Sequence, residues 1–367
     1  MSGVLKLEII INNTIEQIEV SGSHEEAGQA IGLHFAEAIH RFLDNYDLLQ
    51  EQLLPFYNTS DGKNFYQSFL KLHRTHFPGY MSELEGMAKG AGRPFEEVFL
   101  VNLRGEFQGL LQLGHKTGDT DDRGNLGCTD CLVMTTDAAL IGHNEDGSPA
   151  ALGNMFVVRV AVDDGPAFRA LCYPGFLPGN AFGFNETGIM HTINHVGPRQ
   201  VRVGLGRHFI ARSILDARSL DDAIQRTTEP GQAAGFNYNI GSVSERRIVS
   251  VEVSPERHHI HEVEGYYLHT NHYLNLIGVN QEITASSNKR LARARELCQK
   301  TSPPNESHVL ALLGDQAYRD HPIYCDATPP EISATLCSAL FDLDRRQLRI
   351  YWGHPVKEPE QYLHFDL

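Results

Sequence analysis

The sequence has few basic residues and no long hydrophobic run. Of its 367 residues, 31 are Lys or Arg and 46 are Asp or Glu, which gives a formal net charge of -15. This deficit of positive charge argues against a nucleic-acid partner, because phosphates require a basic protein face. No stretch approaches the ~20 apolar residues of a membrane span, and residues 1 to 20 lack the basic segment and apolar run of a secretory signal. We therefore expect a cytoplasmic protein that binds neither nucleic acid nor membranes.

Cysteine is also scarce, with six residues dispersed through the chain, which favours reduced thiols over a disulfide framework. Cys128 and Cys131 form a Cys-x-x-Cys pair, but zinc needs four ligands and no second pair has suitable spacing. The pair precedes a predicted strand, whereas a redox motif of this type opens a helix. His258, His259 and His261 are further metal candidates, and their alternation favours an exposed strand. We predict no metal and no cofactor.

The chain divides near residue 127 into a mainly helical part and an α+β part. Ser23 and Glu26 have the spacing of a capping box, and apolar residues recur behind them at helical intervals. Residues 115 to 127 are rich in Gly, Asp and Thr and are predicted to form an exposed linker. The further predicted helices span 80–89, 95–107, 206–217, 220–226, 287–299 and 306–314, and the predicted strands span 131–135, 139–142, 156–162, 168–172, 188–194, 248–253 and 348–352.

The linker ends at Gly127-Cys128-Thr129, where self-cleavage is chemically feasible. Glycine adopts backbone conformations that other residues resist, so the Cys128 thiol can attack the Gly127 carbonyl carbon, and hydrolysis of the resulting thioester frees the Cys128 amine. An α-amino group titrates near about 7.7 to 8.0. Cys128 would then supply both the nucleophile and its base. Taken alone the tripeptide is a weak signal, because an inert core thiol is the commoner use of a cysteine.

Six segments in the same order strengthen this reading, because they resemble the family of isopenicillin-N acyltransferase, which includes β-alanyl-amine hydrolases. The resemblance implies a four-layer αββα sandwich of the N-terminal-nucleophile hydrolase type. Residues 1–127 would remain bound as a smaller chain beside a larger chain, 128–367, the two forming one unit as a heterodimer. The six segments are Asn102-Leu-Arg104-Gly-Glu106-Phe107, Gly127-Cys128-Thr129, Gly142-His-Asn144-Glu-Asp146, Gly183-Phe184-Asn185 through Asn194, His269-Thr270-Asn271-His272 and Ser287-Asn-Lys-Arg290-Leu-Ala-Arg293.

The resemblance assigns catalytic roles to Asp146, Asn271 and Asn194. Asp146 would hydrogen-bond the new terminal amine of Cys128 and stabilise its protonated form. The alternative is a turn residue, since Asp-Gly is a common turn pair. Asn271 would donate to the tetrahedral oxyanion, with Asn194 as a second donor near it. The alternative for each asparagine is a loop residue that satisfies its own backbone.

Other matched residues would support the site. Arg290 would lie near the nucleophile and favour its thiolate, while Arg293, one helical turn on, has no assigned role. The segment Asn102, Arg104 and Glu106 would brace the precursor, or would be a surface array without a role.

His143 and Glu145 belong to the expected substrate pocket. Relatives place aromatic residues around the aspartate, where this chain has Glu145 and Gly147. We therefore expect Glu145 or a nearby carboxylate to receive an ammonium group, as on a β-alanyl amide.

The predicted function is an autoproteolytic amidohydrolase that cleaves a small N-acyl amine or amide through a thioester. One alternative is an acyltransferase that passes the acyl group to an amine such as a β-lactam nucleus. A second is an unprocessed binding protein without activity. The expected partners are a small-molecule amide and the chain's own cleaved N-terminal part, and the sequence leaves a higher oligomer open.

Overall fold

Two β-sheets dominate the structure, a computed structural model that describes residues 15–114, 127–299, 304–327 and 333–367. The predicted linker at 115–126 lies outside the described residues. The larger sheet has the strand order β1-β4-β5-β6-β7-β9-β10-β11. Its strands are β1 (Glu16–Gly22), β4 (Phe156–Val162), β5 (Phe168–Cys172), β6 (Phe182–Asn185), β7 (Ile189–His195), β9 (Phe236–Ser242), β10 (Arg247–Val253) and β11 (His258–Glu262).

The second sheet has the order β12-β2-β3-β14-β15-β16, and β8 (Gly197–Pro198) pairs separately with β13 (Gln281–Glu282). Strands β3 and β14 are buried along their whole length, as expected for strands covered on both faces. The six strands are β2 (Thr129–Met134), β3 (Ala139–Gly147), β12 (Gly265–His269), β14 (Ala334–Asp342), β15 (Gln347–Tyr351) and β16 (Tyr362–Asp366).

Helices cover the outer face of each sheet. The helices are α1 (His24–His34), α2 (Ala36–Asp44), α3 (Leu54–Tyr57), α4 (Ser60–His76), α5 (Pro78–Ala91), α6 (Phe95–Asn102), α7 (Arg104–Gly114), α8 (Arg207–Ile214), α9 (Leu220–Thr227), α10 (Ala285–Gln299) and α11 (Glu306–Leu313), with a π-helical segment at Leu48–Leu53. Helices α1, α8 and α9 pack on the larger sheet, and α10 and α11 pack on the smaller one. The sheets face each other, since Asp130 of β2 contacts Thr192 and Asn194 of β7. The predicted four-layer αββα architecture is confirmed.

The hairpin of β2 and β3 positions the predicted nucleophile. Cys128 lies immediately before β2, and Thr129 pairs with Asn144 across the hairpin. Strand β3 runs five residues beyond its predicted end and includes Asp146, which pairs with Thr335 of β14. Asp146 is therefore a buried strand residue, and the turn interpretation is wrong.

Most predicted elements exist, with changed bounds. Ser23 caps α1 with the predicted capping box, but the helix ends at His34 and α2 begins at Ala36. The helix predicted at 95–107 is broken at Leu103. The histidine-rich segment is the exposed strand β11, as predicted. No helix in the described ranges is both long and apolar enough to cross a membrane. The elements absent from the predictions include α4, β9, β14 and β16.

Glycines allow α1 and α5 to pack with their backbones in contact. A Cβ atom at Gly28 would lie 1.9 Å from the Glu83 carbonyl oxygen, and one at Gly86 would lie 2.2 Å from the Glu25 carbonyl oxygen. A methyl group has no room between these backbones. Helix α1 of this pair also contacts β1 and β4, which pair at the edge of the larger sheet. The helical part of the chain is therefore packed against that edge.

Gly28→Ala should lower the free energy of unfolding by about 1–3 kcal/mol, because the added methyl group overpacks the helix pair. In an unobstructed helix the same change would stabilise by ~1 kcal/mol, so the sign is diagnostic. Urea unfolding measures the effect. The exposed helix variant Gln67→Ala is the control and should change stability by less than about 0.5 kcal/mol. A stabilised Gly28→Ala protein would contradict the packing.

Candidate active site

Cys128 lies at the wall of a cavity between the sheets, with only 7% of its surface exposed. Its Sγ donates to Glu145 Oε2 at 3.6 Å. Burial and the Glu145 charge raise the pKa of the Cys128 thiol to about 12 in the uncut chain. The thiol is therefore protonated near neutral pH, and it needs a proton acceptor before it can act as a nucleophile.

His143 links Cys128 to a buried chain of charged groups. Its Nδ1 donates to Asp130 at 2.9 Å, and its Nε2 donates to Glu145 Oε2 at 2.9 Å. Burial opposes the imidazolium, but the Asp130 charge and the hydrogen bonds with its neighbours raise the pKa of His143 well above its ordinary value. A protonated His143 between two carboxylates compensates their charge inside the protein.

The other end of this chain is anchored in the larger sheet. Asp130 accepts hydrogen bonds at 2.5 Å from Thr192 Oγ1 and from Asn194 Nδ2. The Asn194 oxygen in turn accepts from Asn237 and Asn239. None of the Asn194 hydrogen bonds in the described chain is with Cys128. Asn194 is fully buried and does not line the cavity of Cys128, and its amide orients Asp130, while its predicted role near the oxyanion stays a prediction.

Asp146 has one satisfied and one unsatisfied oxygen. Oδ1 accepts from Thr335 Oγ1 at 2.6 Å, whereas Oδ2 is buried and has no hydrogen-bond partner among the described residues. Burial raises the pKa of Asp146 to about 7, against the opposing charge of Arg290. Asp146 and Cys128 line the same cavity, so the free oxygen is available to an amine placed there.

Glu145 is fully engaged by protein groups. Oε1 accepts from the Tyr173 hydroxyl at 2.5 Å, and Oε2 receives His143 and Cys128. A substrate ammonium at Glu145 would have to displace these hydrogen bonds from a buried site. The expected ammonium role of Glu145 therefore does not fit the structure, and Glu145 holds His143 and Cys128 in place.

Asn271 and Arg290 surround the residue before the nucleophile. A Cβ atom at Gly127 would lie 2.2 Å from Asn271 Oδ1 and 2.4 Å from Arg290 Nη2. Arg290 is buried and donates to the Cys128 carbonyl oxygen at 2.7 Å and to Asn271 Oδ1 at 2.6 Å. Because a guanidinium can only donate, Arg290 fixes the Asn271 oxygen on its own side, and Asn271 Nδ2 points toward the His195 carbonyl. The atoms nearest Gly127 are therefore the Asn271 oxygen, which can only accept, and the Arg290 guanidinium, which can only donate.

The remaining residues of the matched motifs have structural contacts away from Cys128. Asn102 and Glu106 are fully buried, so the surface-array interpretation is wrong. Asn102 donates to the Gly175 carbonyl and accepts from Leu177 N. Arg293 instead forms a bidentate pair with Asp315, away from Cys128.

Glu252 positions the Asn271 segment and was missed in the sequence. Its carboxylate accepts from the backbone N–H groups of residues 274, 275 and 276 and from His269 Nε2. These contacts flank Asn271 on both sides. A signal was available, because Glu252 and Asp130 are charged residues inside otherwise apolar strand segments.

Cys128, His143 and Glu145 are also the group in the described residues with the composition of a metal site. Their donor atoms lie within 4.8 Å of one another. Three protein ligands with an open position are typical of catalytic zinc. Here the three side chains are hydrogen-bonded to each other, which accounts for their proximity without an ion.

Comparisons with known proteins show what the chain is similar to. The family model described as acyl-coenzyme A:6-aminopenicillanic acid acyl-transferase matches residues 133–357. A beta-alanyl-dopamine/carcinine hydrolase of Drosophila melanogaster is 28% identical over 91% of this chain and 92% of its own. The 40 kDa form of acyl-coenzyme A:6-aminopenicillanic-acid-acyltransferase of Emericella nidulans is 27% identical over 55% of this chain and 54% of its own. A conjugated bile acid hydrolase variant from Clostridium perfringens superposes with a TM-score of 0.41 and 12% identity, over 65% of this chain and 92% of its own.

The raised pKa of Asp146 predicts a pH-dependent loss of stability. The carboxyl keeps its proton up to about 7 in the folded chain but loses it near its ordinary value of 3.8 when unfolded. Between these values the folded state holds more protons, so stability falls as pH rises. In a Cys128→Ala background, which removes the predicted nucleophile, the stability of Asp146→Asn relative to its parent should rise by on the order of 2 kcal/mol between about pH 5 and pH 8.

Urea unfolding at the two pH values measures this gain. Asp163→Asn, at an exposed aspartate, serves as the control and should show the same stability difference at both. A pH-independent difference for Asp146→Asn as well would contradict the raised pKa.

Proposed function

The chain belongs to the acyl-coenzyme A:6-aminopenicillanic acid acyl-transferase family and is a hydrolase or acyltransferase of that family, and on this premise we propose that it is an autoproteolytic amidohydrolase whose nucleophile is the N-terminal thiol of Cys128. The observation that carries the proposal is the Oδ2 atom of Asp146, which has no partner among the described residues and belongs to a residue that lines the same cavity as Cys128. An amine freed at Cys128 gives that oxygen a partner. It also gives the thiol a base on its own residue.

Cleavage begins with attack of Cys128 Sγ on the Gly127 carbonyl carbon. The C–N bond between residues 127 and 128 breaks, the nitrogen takes up the thiol proton, and the acyl group of Gly127 is held on sulfur as a thioester. Water then hydrolyses the thioester and releases the Gly127 carboxylate. Arg290, whose guanidinium lies beside Gly127, would stabilise the charge that develops on the Gly127 carbonyl oxygen, and the second N–H of Asn271 Nδ2 would add a donor.

The same groups serve the amide substrate after cleavage. The Cys128 amine takes the thiol proton as sulfur attacks the substrate carbonyl, and it passes that proton to the leaving amine. Asn271 Nδ2 donates to the oxyanion, a contact that contributes on the order of 3 kcal/mol in comparable sites. Asp146 holds the amine and favours its protonated form. Water resolves the thioester and regenerates the thiol.

Hydrolysis is the proposed net reaction because water is always available to the thioester. Transfer to an acceptor amine is the second candidate, favoured by the acyltransferase relative. The proposed substrates are small N-acyl amines, and the relative that hydrolyses beta-alanyl-dopamine and carcinine supports β-alanyl amides among them. Residues 1–127 would stay bound as the partner chain, since β1 and the helices α1 to α7 form part of the common core.

Intact mass and amide hydrolysis test the proposal together. The wild-type protein should separate into two chains that meet at the bond between residues 127 and 128, and it should hydrolyse β-alanyl amides. Cys128→Ala should remain uncut and inactive. Cys131→Ala, which removes another buried thiol in the same hairpin, is the matched control and should be cut and active. An uncut Cys128→Ala protein with full activity would eliminate the proposed nucleophile.

Gly127→Ala should slow cleavage by at least about tenfold, because its methyl group collides with Asn271 and Arg290. The reaction can be followed by the mass of freshly refolded protein over time. Gly153→Ala is the control, since a Cβ atom there meets nothing within 4 Å, although its left-handed φ of 71° adds backbone strain. Cleavage at the wild-type rate in Gly127→Ala would show that the described contacts do not govern the step.

A further inference from the structure

Two arginines line the cavity that holds Cys128, and the proposed chemistry uses neither. Arg207 is 6% exposed, and Arg104 is partly buried. Each guanidinium lies over an aromatic ring, with Arg104 Cζ 4.7 Å from the Phe176 centroid and Arg207 Cζ 4.7 Å from the Phe236 centroid. Stacking in this way occupies the face of a guanidinium and leaves its N–H edge for other partners.

Neither edge meets a carboxylate of the described chain at salt-bridge distance. Arg207 Nη1 donates to His195 Nδ1 at 2.8 Å, and its Nε is buried without a partner. Arg104 Nη1 donates to His208 Nε2 at 3.1 Å. Burial and the two arginine charges hold the pKa values of His195 and His208 well below their ordinary range, so both rings are neutral acceptors.

The neighbourhood therefore keeps an excess of positive charge. The charge of Glu106 raises the pKa of Arg207, against the effect of burial. Its carboxylate accepts a hydrogen bond from the Arg207 backbone N–H at 2.9 Å and forms no salt bridge with the guanidinium. Two guanidiniums and one carboxylate leave a net charge of about +1 beside neutral imidazoles. Glu145 and Asp146 lie in the same cavity, but their contacts are with the Cys128 end.

A buried arginine with a structural role looks different in this protein. Arg212 also stacks on rings, but it forms salt bridges with both Glu83 and Asp216. Burial of a charge is costly unless the charge is paired, and Arg212 is paired from within the chain. Among the residues that the structure describes, no carboxylate forms a salt bridge with Arg104 or Arg207, and both side chains line the cavity of Cys128.

We propose that Arg104 and Arg207 form a subsite for a carboxylate carried by the substrate. The inference rests on the proposed function, and it narrows the substrate class to N-acyl amines with one carboxylate remote from the scissile amide. A monoanion matches the net charge of the site, and a carboxylate accepts two N–H groups from each guanidinium edge. The carboxylate belongs either to the acyl group or to the leaving amine.

Two matched substrate pairs separate these sources. β-Alanyl-histidine and β-alanyl-histamine differ by a carboxylate on the amine, and N-glutaryl-histamine and N-pentanoyl-histamine differ by a carboxylate on the acyl group. The wild-type enzyme should prefer the acidic member of one pair. Arg104→Gln and Arg207→Gln should lower kcat/KM for that member by about 10- to 100-fold and for its uncharged partner by less than about threefold.

Two control variants distinguish the loss of a carboxylate contact from a general loss of folding. Arg207→Lys keeps the charge and should lose less than Arg207→Gln. Arg345→Gln removes an exposed arginine whose side chain is 64% accessible, and it should leave the preference unchanged. Equal losses for acidic and uncharged substrates in both glutamine variants would overturn the subsite.

Binding of the amides to the Cys128→Ala protein tests the subsite in the absence of catalysis. Calorimetry with the four amides should show tighter binding of one acidic member, and Arg104→Gln should abolish the difference. If the wild-type enzyme hydrolyses none of the amides but this difference persists, the subsite stands and the proposed function fails. If Cys128→Ala binds both members of each pair equally, the subsite is refuted whether or not the wild-type enzyme hydrolyses them.

Discussion

The buried ion pair between Asp130 and His143 is the interaction on which the site depends. It lies between two sheets, and each of its groups is held by a different layer: Thr192 and Asn194 of the larger sheet bind Asp130, and Glu145 of the smaller sheet binds His143. A charge in this position is tolerated only while every partner is present. The pair therefore fixes the spacing of the sheets at the point where Cys128 meets the cavity.

In the proposed mechanism, cleavage changes the electrostatics of this arrangement without requiring a new fold. In the uncut chain the Cys128 thiol is held by Glu145, and Asp146 has an oxygen with no partner among the described residues. The amine that the proposed cleavage frees would satisfy Asp146 and accept the thiol proton. On this proposal the groups of the mature site are already in place in the precursor, and preorganised donors of this kind contribute to catalysis at little reorganisation cost.

The sequence predicted the elements with strong local signals and the residues in short motifs. The capping box at Ser23 located α1, and apolar runs located β4 and β5 within their observed bounds. Strand β14, which supplies Thr335 to Asp146, was missed, although it is an apolar run that pairs with the neighbouring strand β15 as well as with the distant β3.

The candidate site was also predicted only in part. The motifs identified Cys128 and Asp146, which line one cavity, and Asn271 and Arg290, which the structure links to the Cys128 backbone. Sequence could not show that Glu145 is occupied by Tyr173, or that Asn194 binds Asp130, since both depend on how two sheets stack. The placement of Arg104 and Arg207 on one cavity also depends on tertiary contacts, because the two residues come from opposite sides of the predicted cleavage point.

The crystal structure of the active, freshly purified enzyme is the most direct test of the central claim. The account predicts a chain break after Gly127 and a Cys128 nitrogen within hydrogen-bond distance of Asp146 Oδ2. A fully active enzyme in which the peptide bond between Gly127 and Cys128 is intact, with Asp146 still lacking an amine partner, would contradict it.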